Sequence, residues 1–148
     1  MSKKNLLVKD VMLGLESIPY IRDTSFLKEA IDLMDKFRLG IICVIDKNNK
    51  IQGIITDGDL RRNLSSVQRP LPSYFMDNVL KHCSKDPLLI KDNENIENAL
   101  DLIEKNEIWD LPVVNKDNQL IGLLHLHNII RKIIWQMLEI LKNRKKLK

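Results

Sequence analysis

Apolar residues along this chain recur first at helical and then at strand spacing, and the same succession happens twice. Phe26, Ala30, Leu33/Met34 and Phe37 share one face of a helix predicted from about Ser25 to Arg38. Asp23, Thr24 and Ser25 offer capping oxygens at its start, and Gly40 stands just past its end. Ile41 to Ile45 follows as an unbroken β-rich run, then the polar turn Asp46-Lys47-Asn48-Asn49-Lys50, then a second β-rich run from Ile51 to Thr56. This reads as a hairpin. Another helix is expected to begin in Thr56-Asp57-Gly58-Asp59 and to run to about Leu64, before a polar linker from Ser65 to Pro72.

The order then returns. Leu88-Leu89-Ile90 is strand-like, Ile96, Ala99/Leu100 and Ile103 mark a helix from about Glu94 to Asn106, and Leu111 to Val114 and Leu120 to His125 flank the turn Asn115-Lys116-Asp117-Asn118. Sliding the sequence by 69 positions sets Gly53-Ile54-Ile55 on Gly122-Leu123-Leu124, Leu27 on Ile96, Ala30 on Ala99, Val44 on Val113 and Arg62 on Arg131. A constant, gapless offset is the mark of a duplicated structural unit. The fold class expected is therefore α/β (α+β), two repeats of β-α-β-β-α related by a pseudo-two-fold axis, covering 8–67 and 74–135. A unit of about 60 residues buries only ~60% of its unfolded surface, so the pair is the expected folding unit.

A C-terminal helical extension, 136–148, continues the last helix. Ile130, Ile133/Ile134, Met137 and Leu141 form its apolar stripe, widened by Trp135, Leu138 and Ile140. Such a stripe packs on its own domain or exposes enough surface to join a second chain, and a homodimer through the helices is expected. The formal charge of +4 is matched by Arg144, Lys145, Lys146 and Lys148 alone, so the body is near neutral. Without aromatic interleaving this run reads as a solvated tail, and no nucleic-acid partner is expected. No apolar run nears the ~20 residues of a spanning helix, so no membrane association is expected. Cys43 and Cys83 have no metal or disulfide spacing, which fits a cytoplasmic protein with reduced thiols.

The richest chemistry lies in Gly53-Ile54-Ile55-Thr56-Asp57-Gly58-Asp59-Leu60-Arg61-Arg62. A strand ends and a helix begins here, so unpaired backbone N–H groups face outward and suit an anion. Thr56 adds a hydroxyl, the Asp59 carboxylate can accept from a ribose diol, and Arg61 and Arg62 add positive charge for a phosphate. The purely structural reading is that Thr56 caps the helix and Asp59 favours its positive end.

The duplication, the element order and the string Gly-Ile-Ile-Thr-Asp-Gly-Asp at 53–59 resemble tandem cystathionine β-synthase (CBS) domains. That resemblance implies that Thr56 bonds phosphate and Asp59 holds ribose of an adenine nucleotide (AMP, ADP or ATP). It also implies that the base lies in an apolar cleft near Pro19 and Tyr20, beside Ile42 and Ile54. A narrower likeness joins Thr56-Asp57-Gly58-Asp59-Leu60-Arg61-Arg62 with His125-Leu126-His127-Asn128-Ile129-Ile130-Arg131, and is similar to the CBS pair of arabinose-5-phosphate isomerases of the Kdo pathway. Sugar nucleotidyltransferases carry a similar Thr-Asp-Gly-Asp string, so a CMP-sugar stands beside the adenine nucleotides as an expected effector. A sugar-isomerase or nucleotidyltransferase domain is the corresponding partner.

His125 occupies the Thr56 position and Asn128 the Asp59 position, so the second turn keeps hydrogen bonding but loses the carboxylate. It is expected to bind another ligand, to bind more weakly or to stay empty. No metal is expected at His125/His127, because i and i+2 point to opposite faces of a strand and no nearby Cys or third His completes a site. Nor do Asp57 and Asp59 have a proton-transfer partner, so no catalytic residue is assigned and the chain is not expected to be an enzyme by itself. Three functions remain: a regulatory nucleotide-binding module, the CBS portion of an isomerase, and a structural dimerisation module with empty clefts.

Overall fold

The computed structural model describes residues 5–146. Twelve elements other than short 3₁₀ turns follow in order: β1 (Leu13–Gly14), β2 (Tyr20–Arg22), α1 (Leu27–Phe37), β3 (Ile41–Ile45), β4 (Ile51–Thr56), α2 (Asp57–Ser66), α3 (Leu71–Phe75), β5 (Ile90–Lys91), α4 (Ile96–Asn106), β6 (Asp110–Val114), β7 (Leu120–His125) and α5 (Leu126–Lys146). Two mixed sheets, β2-β3-β4 and β1-β7-β6-β5, carry the helices. This is the expected α/β duplication.

Both hairpins show the same register break, between Val44 and Ile45 in one and Val113 and Val114 in the other. Left-handed backbone recurs at Arg38 and Glu107 and at Asn49 and Asn118, each pair one repeat apart. The first of these pairs shows what ends α1, close to the expected Arg38. The helix stops at Phe37 because Arg38 turns left-handed and its N–H reaches back to Asp35 and Met34, so Gly40 does not terminate it. Its start differs. Phe26 is the cap residue and its N–H is bonded at 2.8 Å by the Glu29 carboxylate, while Asp23, Thr24 and Ser25 lie upstream. A short helix, α3, also begins in the last two residues of the segment expected to be a linker, and α2 runs on into its first two.

Each sheet borrows a segment that precedes the other repeat. β1 pairs with β7, and Val8 and Val11 sit in the core beneath α4 with Ile96, Ile103, Leu124 and Ile129. Symmetrically, Ser84 pairs with Ile54, while Tyr74 and Val79 enter the core beneath α1 with Leu27, Ala30, Ile42 and Ile55. Gly53 and Gly122 permit these crossings: a Cβ at Gly53 would lie 2.7 Å from the Ser84 carbonyl oxygen, and one at Gly122 2.5 Å from that of Leu13. A third cluster, Ile18, Ile41, Cys43, Ile45, Leu120 and Leu123, joins the two sheets face to face. The hairpin tips also meet, with the Leu120 N–H donating to the Asn49 carbonyl at 2.9 Å and Gln119 Nε2 to the Asn48 carbonyl at 3.1 Å. Two half-sized units thus share one interior, as their size requires.

The segment between the repeats is held by charge. Arg69 forms a two-pronged ion pair with Asp77, whose carboxylate also meets His82 Nε2 at 2.7 Å. The Arg69 guanidinium, and after it His82, hold the Asp77 carboxyl well below the usual carboxylate range.

Candidate functional site at the head of α2

Register decides which side chains meet. β3 pairs with β4 so that Thr56 lies opposite Ile41 and Ile54 opposite Cys43, while β2 sets Tyr20 beside Cys43. Side chains alternate across a strand. Ile41 and Cys43 face the second repeat, so Tyr20, Ile54 and Thr56 share that face. Pro19 lies at its edge, buried, with its carbonyl accepting from the Cys43 N–H at 3.4 Å. Tyr20 is exposed and offers a ring to solvent.

Ile42 points the other way. It is fully buried in the core beneath α1 and has no surface to give a ligand, which corrects its expected place beside the cleft. The strand Ile41–Ile45 is apolar at every position and buried throughout, so its facing cannot be read from alternation.

At the head of α2, Thr56 and Asp59 close on each other. The Thr56 hydroxyl accepts from the Asp59 N–H at 3.2 Å and donates to Asp59 Oδ2 at 2.9 Å, and the Thr56 N–H donates to the same oxygen at 2.9 Å. This is a complete capping box. Arg62 curls back to bond Asp59 Oδ1 at 2.8 Å. Gly58 makes room for that return, since a Cβ there would lie 3.1 Å from the guanidinium. The Asp57 N–H is bonded to the Gly40 carbonyl at 3.0 Å, so two first-turn donors expected to face an anion are already engaged.

The site is not sealed. Thr56 is half-buried, Asp59 keeps 17% of its side-chain surface, and the Arg62 side chain over it is 63% exposed. An ionised carboxylate has about four acceptor positions. Asp59 uses three, so one stays open and a second is released when Arg62 swings away. Arg61 is exposed beside it.

The CBS domain family matches residues 8–66 and 79–134. This chain is a tandem CBS domain pair. Among curated relatives it is 37% identical over 125 residues to protein RP505 of Rickettsia prowazekii, covering 83% of this chain and 36% of that protein. It is 29% identical over 128 residues to the arabinose 5-phosphate isomerase KdsD of Escherichia coli K12, covering 85% of this chain and 37% of that enzyme. The CBS pair thus spans little more than a third of the length of these relatives. The crystal structure of CBSX2 in complex with AMP matches with a TM-score of 0.78 at 25% identity, over 88% of this chain and 98% of that one.

In the second CBS repeat the equivalent turn is built differently. His125 Nδ1 lies 2.7 Å from Asp110 Oδ1, across the β6–β7 pair, in the place held by Ile41 and Thr56 in the first repeat. Burial raises the Asp110 carboxyl, the His125 hydrogen bond opposes this, and the Asp57 carboxylate adds to the rise. Asp110 also helps raise the buried Cys43 thiol, which burial pushes to about 12. Asp110 pairs with His125, two residues along β7 from Leu123, and so shares the face on which the two repeats meet. Sequence reasoning missed it; the signal was an acidic residue at the register of Ile41. Asn128 is half-buried in the first turn of α5, and the His127 ring lies 6.3 Å from that of His125. No group of three or more metal-ligating side chains occurs among the described residues. No described helix is long and apolar enough to cross a membrane.

Proposed function

We propose that this CBS pair is a regulatory module that binds an adenine nucleotide (AMP, ADP or ATP) or a nucleotide sugar on the face that carries Tyr20, Ile54 and Thr56. Thr56 and the first turn of α2 take the phosphate with Arg61 and Arg62, Asp59 takes the ribose diol, and the base lies against Pro19, Tyr20 and Ile54. The observation that carries the reading is the shared face of Tyr20, Ile54 and Thr56, with a partly free Asp59 carboxylate at its end. The AMP complex of the structurally similar CBSX2 supports an adenine nucleotide. Ligand and cap compete for the same atoms, so binding opens the Arg62 contact and draws the Thr56 hydroxyl from Asp59. The bound state is regulatory because a ligand shifts the relation of the repeats only by favouring one arrangement.

The module itself is not catalytic in this reading. Its similarity to KdsD favours a link to arabinose-5-phosphate isomerisation, with the isomerase body supplied by further sequence or by a separate chain. A homodimer built through CBS helices is part of the same reading. The His125–Asp110 turn is the weaker subsite, since its imidazole is already bonded and Asn128 brings no charge. Isothermal titration calorimetry with AMP, ADP, ATP, CMP and a CMP-sugar tests the proposal. Binding by at least one is expected, and heat-silent titrations with all five would overturn it.

A further inference from the structure

α5 is more than twice as long as its counterpart α2, 21 residues against 10, and most of its apolar surface has no cover among the described residues. Ile129 alone is buried, and Leu126 and Ile133 pack partly on the core beneath α4. Farther along, Ile133, Gln136 and Ile140 line a groove of about 510 Å³ with Leu6, Ile96 and Leu100, so the body runs along this flank of the helix. The neighbouring apolar strip, about a third of a turn round the helix, turns away from it. Ile130, Ile134, Met137 and Leu141 there leave between 47% and 58% of their surface to solvent.

Their spacing is four, three and four residues, the a/d rhythm of a two-helix seam. The seam is also a palindrome about the midpoint between residues 135 and 136. Run antiparallel against itself, it sets Ile130 against the partner's Leu141 and Ile134 against the partner's Met137, and every knob meets an apolar side chain. With Leu138 beside them, these residues offer on the order of 500 Å² per chain, which approaches the ~800 Å² per partner of a standard interface.

Charge selects the direction. Arg144, Lys145 and Lys146 end α5, and a parallel pair would stack two such runs together. In the antiparallel register Lys145 lies beside the partner's Leu126. Leu126 lines a groove with Glu104 and Glu107, both exposed at the end of α4. Cations therefore meet carboxylates at both ends, and the two helix dipoles oppose. We infer that α5 pairs antiparallel with α5 of a second copy, through Ile130, Ile134, Met137 and Leu141. This deepens the dimer part of the reading above and is independent of the ligand.

Sedimentation equilibrium of the full chain should give a two-chain mass. Ile134→Asp with Met137→Asp should reduce it to one chain while circular dichroism and AMP binding persist, because both side chains are exposed in the single chain. Retained AMP binding by that one-chain form separates this inference from the nucleotide reading. For orientation, Ile134→Cys chains mixed with Met137→Cys chains should oxidise to the mixed dimer at least tenfold in excess over either same-residue dimer, with the parent chain as control. A one-chain mass for the parent, a two-chain mass that survives both aspartates, or preferential 134-to-134 linkage would overturn the inference. So would a one-chain parent whose α5 binds phosphatidylglycerol vesicles, which would assign the face to a lipid surface.

Discussion

Replacing Asp59 by alanine separates the two tasks that the head of α2 combines. The carboxylate closes the capping box on Thr56, and that loss costs about 1 kcal/mol. For a chain of this size it lowers the melting temperature by roughly 2–4 °C. The same change removes the acceptor for a ribose hydroxyl. One hydrogen bond to a charged group contributes about 1.5–3 kcal/mol, so AMP affinity should fall roughly 10- to 150-fold. Arg62 moderates this, because the ligand must first displace its 2.8 Å contact with Oδ1, and a fall near the lower end of the range is expected. Asp59→Asn keeps shape and an acceptor oxygen, and should lose less of both quantities. Calorimetry at 25 °C measures binding, and a ligand-free melt measures the cap. An Asp59→Ala chain that melts lower yet binds AMP as tightly as the parent would reduce Asp59 to a cap and refute the assignment.

Three further outcomes test other parts of the structure. Gly53→Ala or Gly122→Ala should each cost about 1–3 kcal/mol in a denaturant melt, since the new Cβ would press on a backbone carbonyl that cannot swing away; an unchanged midpoint would disprove the crossing. The depressed Asp77 carboxyl contributes stability that is present above its unfolded value of 3.8 and lost as pH falls toward the folded value. Between about pH 5 and 3 the parent should therefore lose melting temperature faster than Asp77→Asn, whereas Asp110, raised by burial, acts with the opposite sign in both chains. His125→Thr with Asn128→Asp rebuilds the second turn on the plan of the first, and calorimetry should show additional AMP sites per chain; unchanged stoichiometry would mean that Asp110 or the local shape governs that subsite.

Much of this architecture is written locally. The 69-residue offset, the two hairpins and the amphipathic helices follow from the spacing of apolar positions, which a strand or helix displays along its own length. The Thr56–Asp59 turn is legible for the same reason: a capping box is a three-residue relation, and the observed box sits where the string predicts a helix start. Thr56 and Ile54, two apart on one strand, also had to share a face.

Tertiary packing decided the rest. Ile42 belongs to the helix-covered core and Cys43 to the inter-repeat face, a division that an all-apolar strand does not record because both of its faces exclude water. The exchange of Val8 and Val11 for Tyr74 and Val79 depends on which sheet edge each segment can complete, and so does the His125–Asp110 pair. Such choices join residues far apart in the chain, and their free energy comes from surface buried jointly and polar groups satisfied jointly. Periodicity in one segment carries no trace of that.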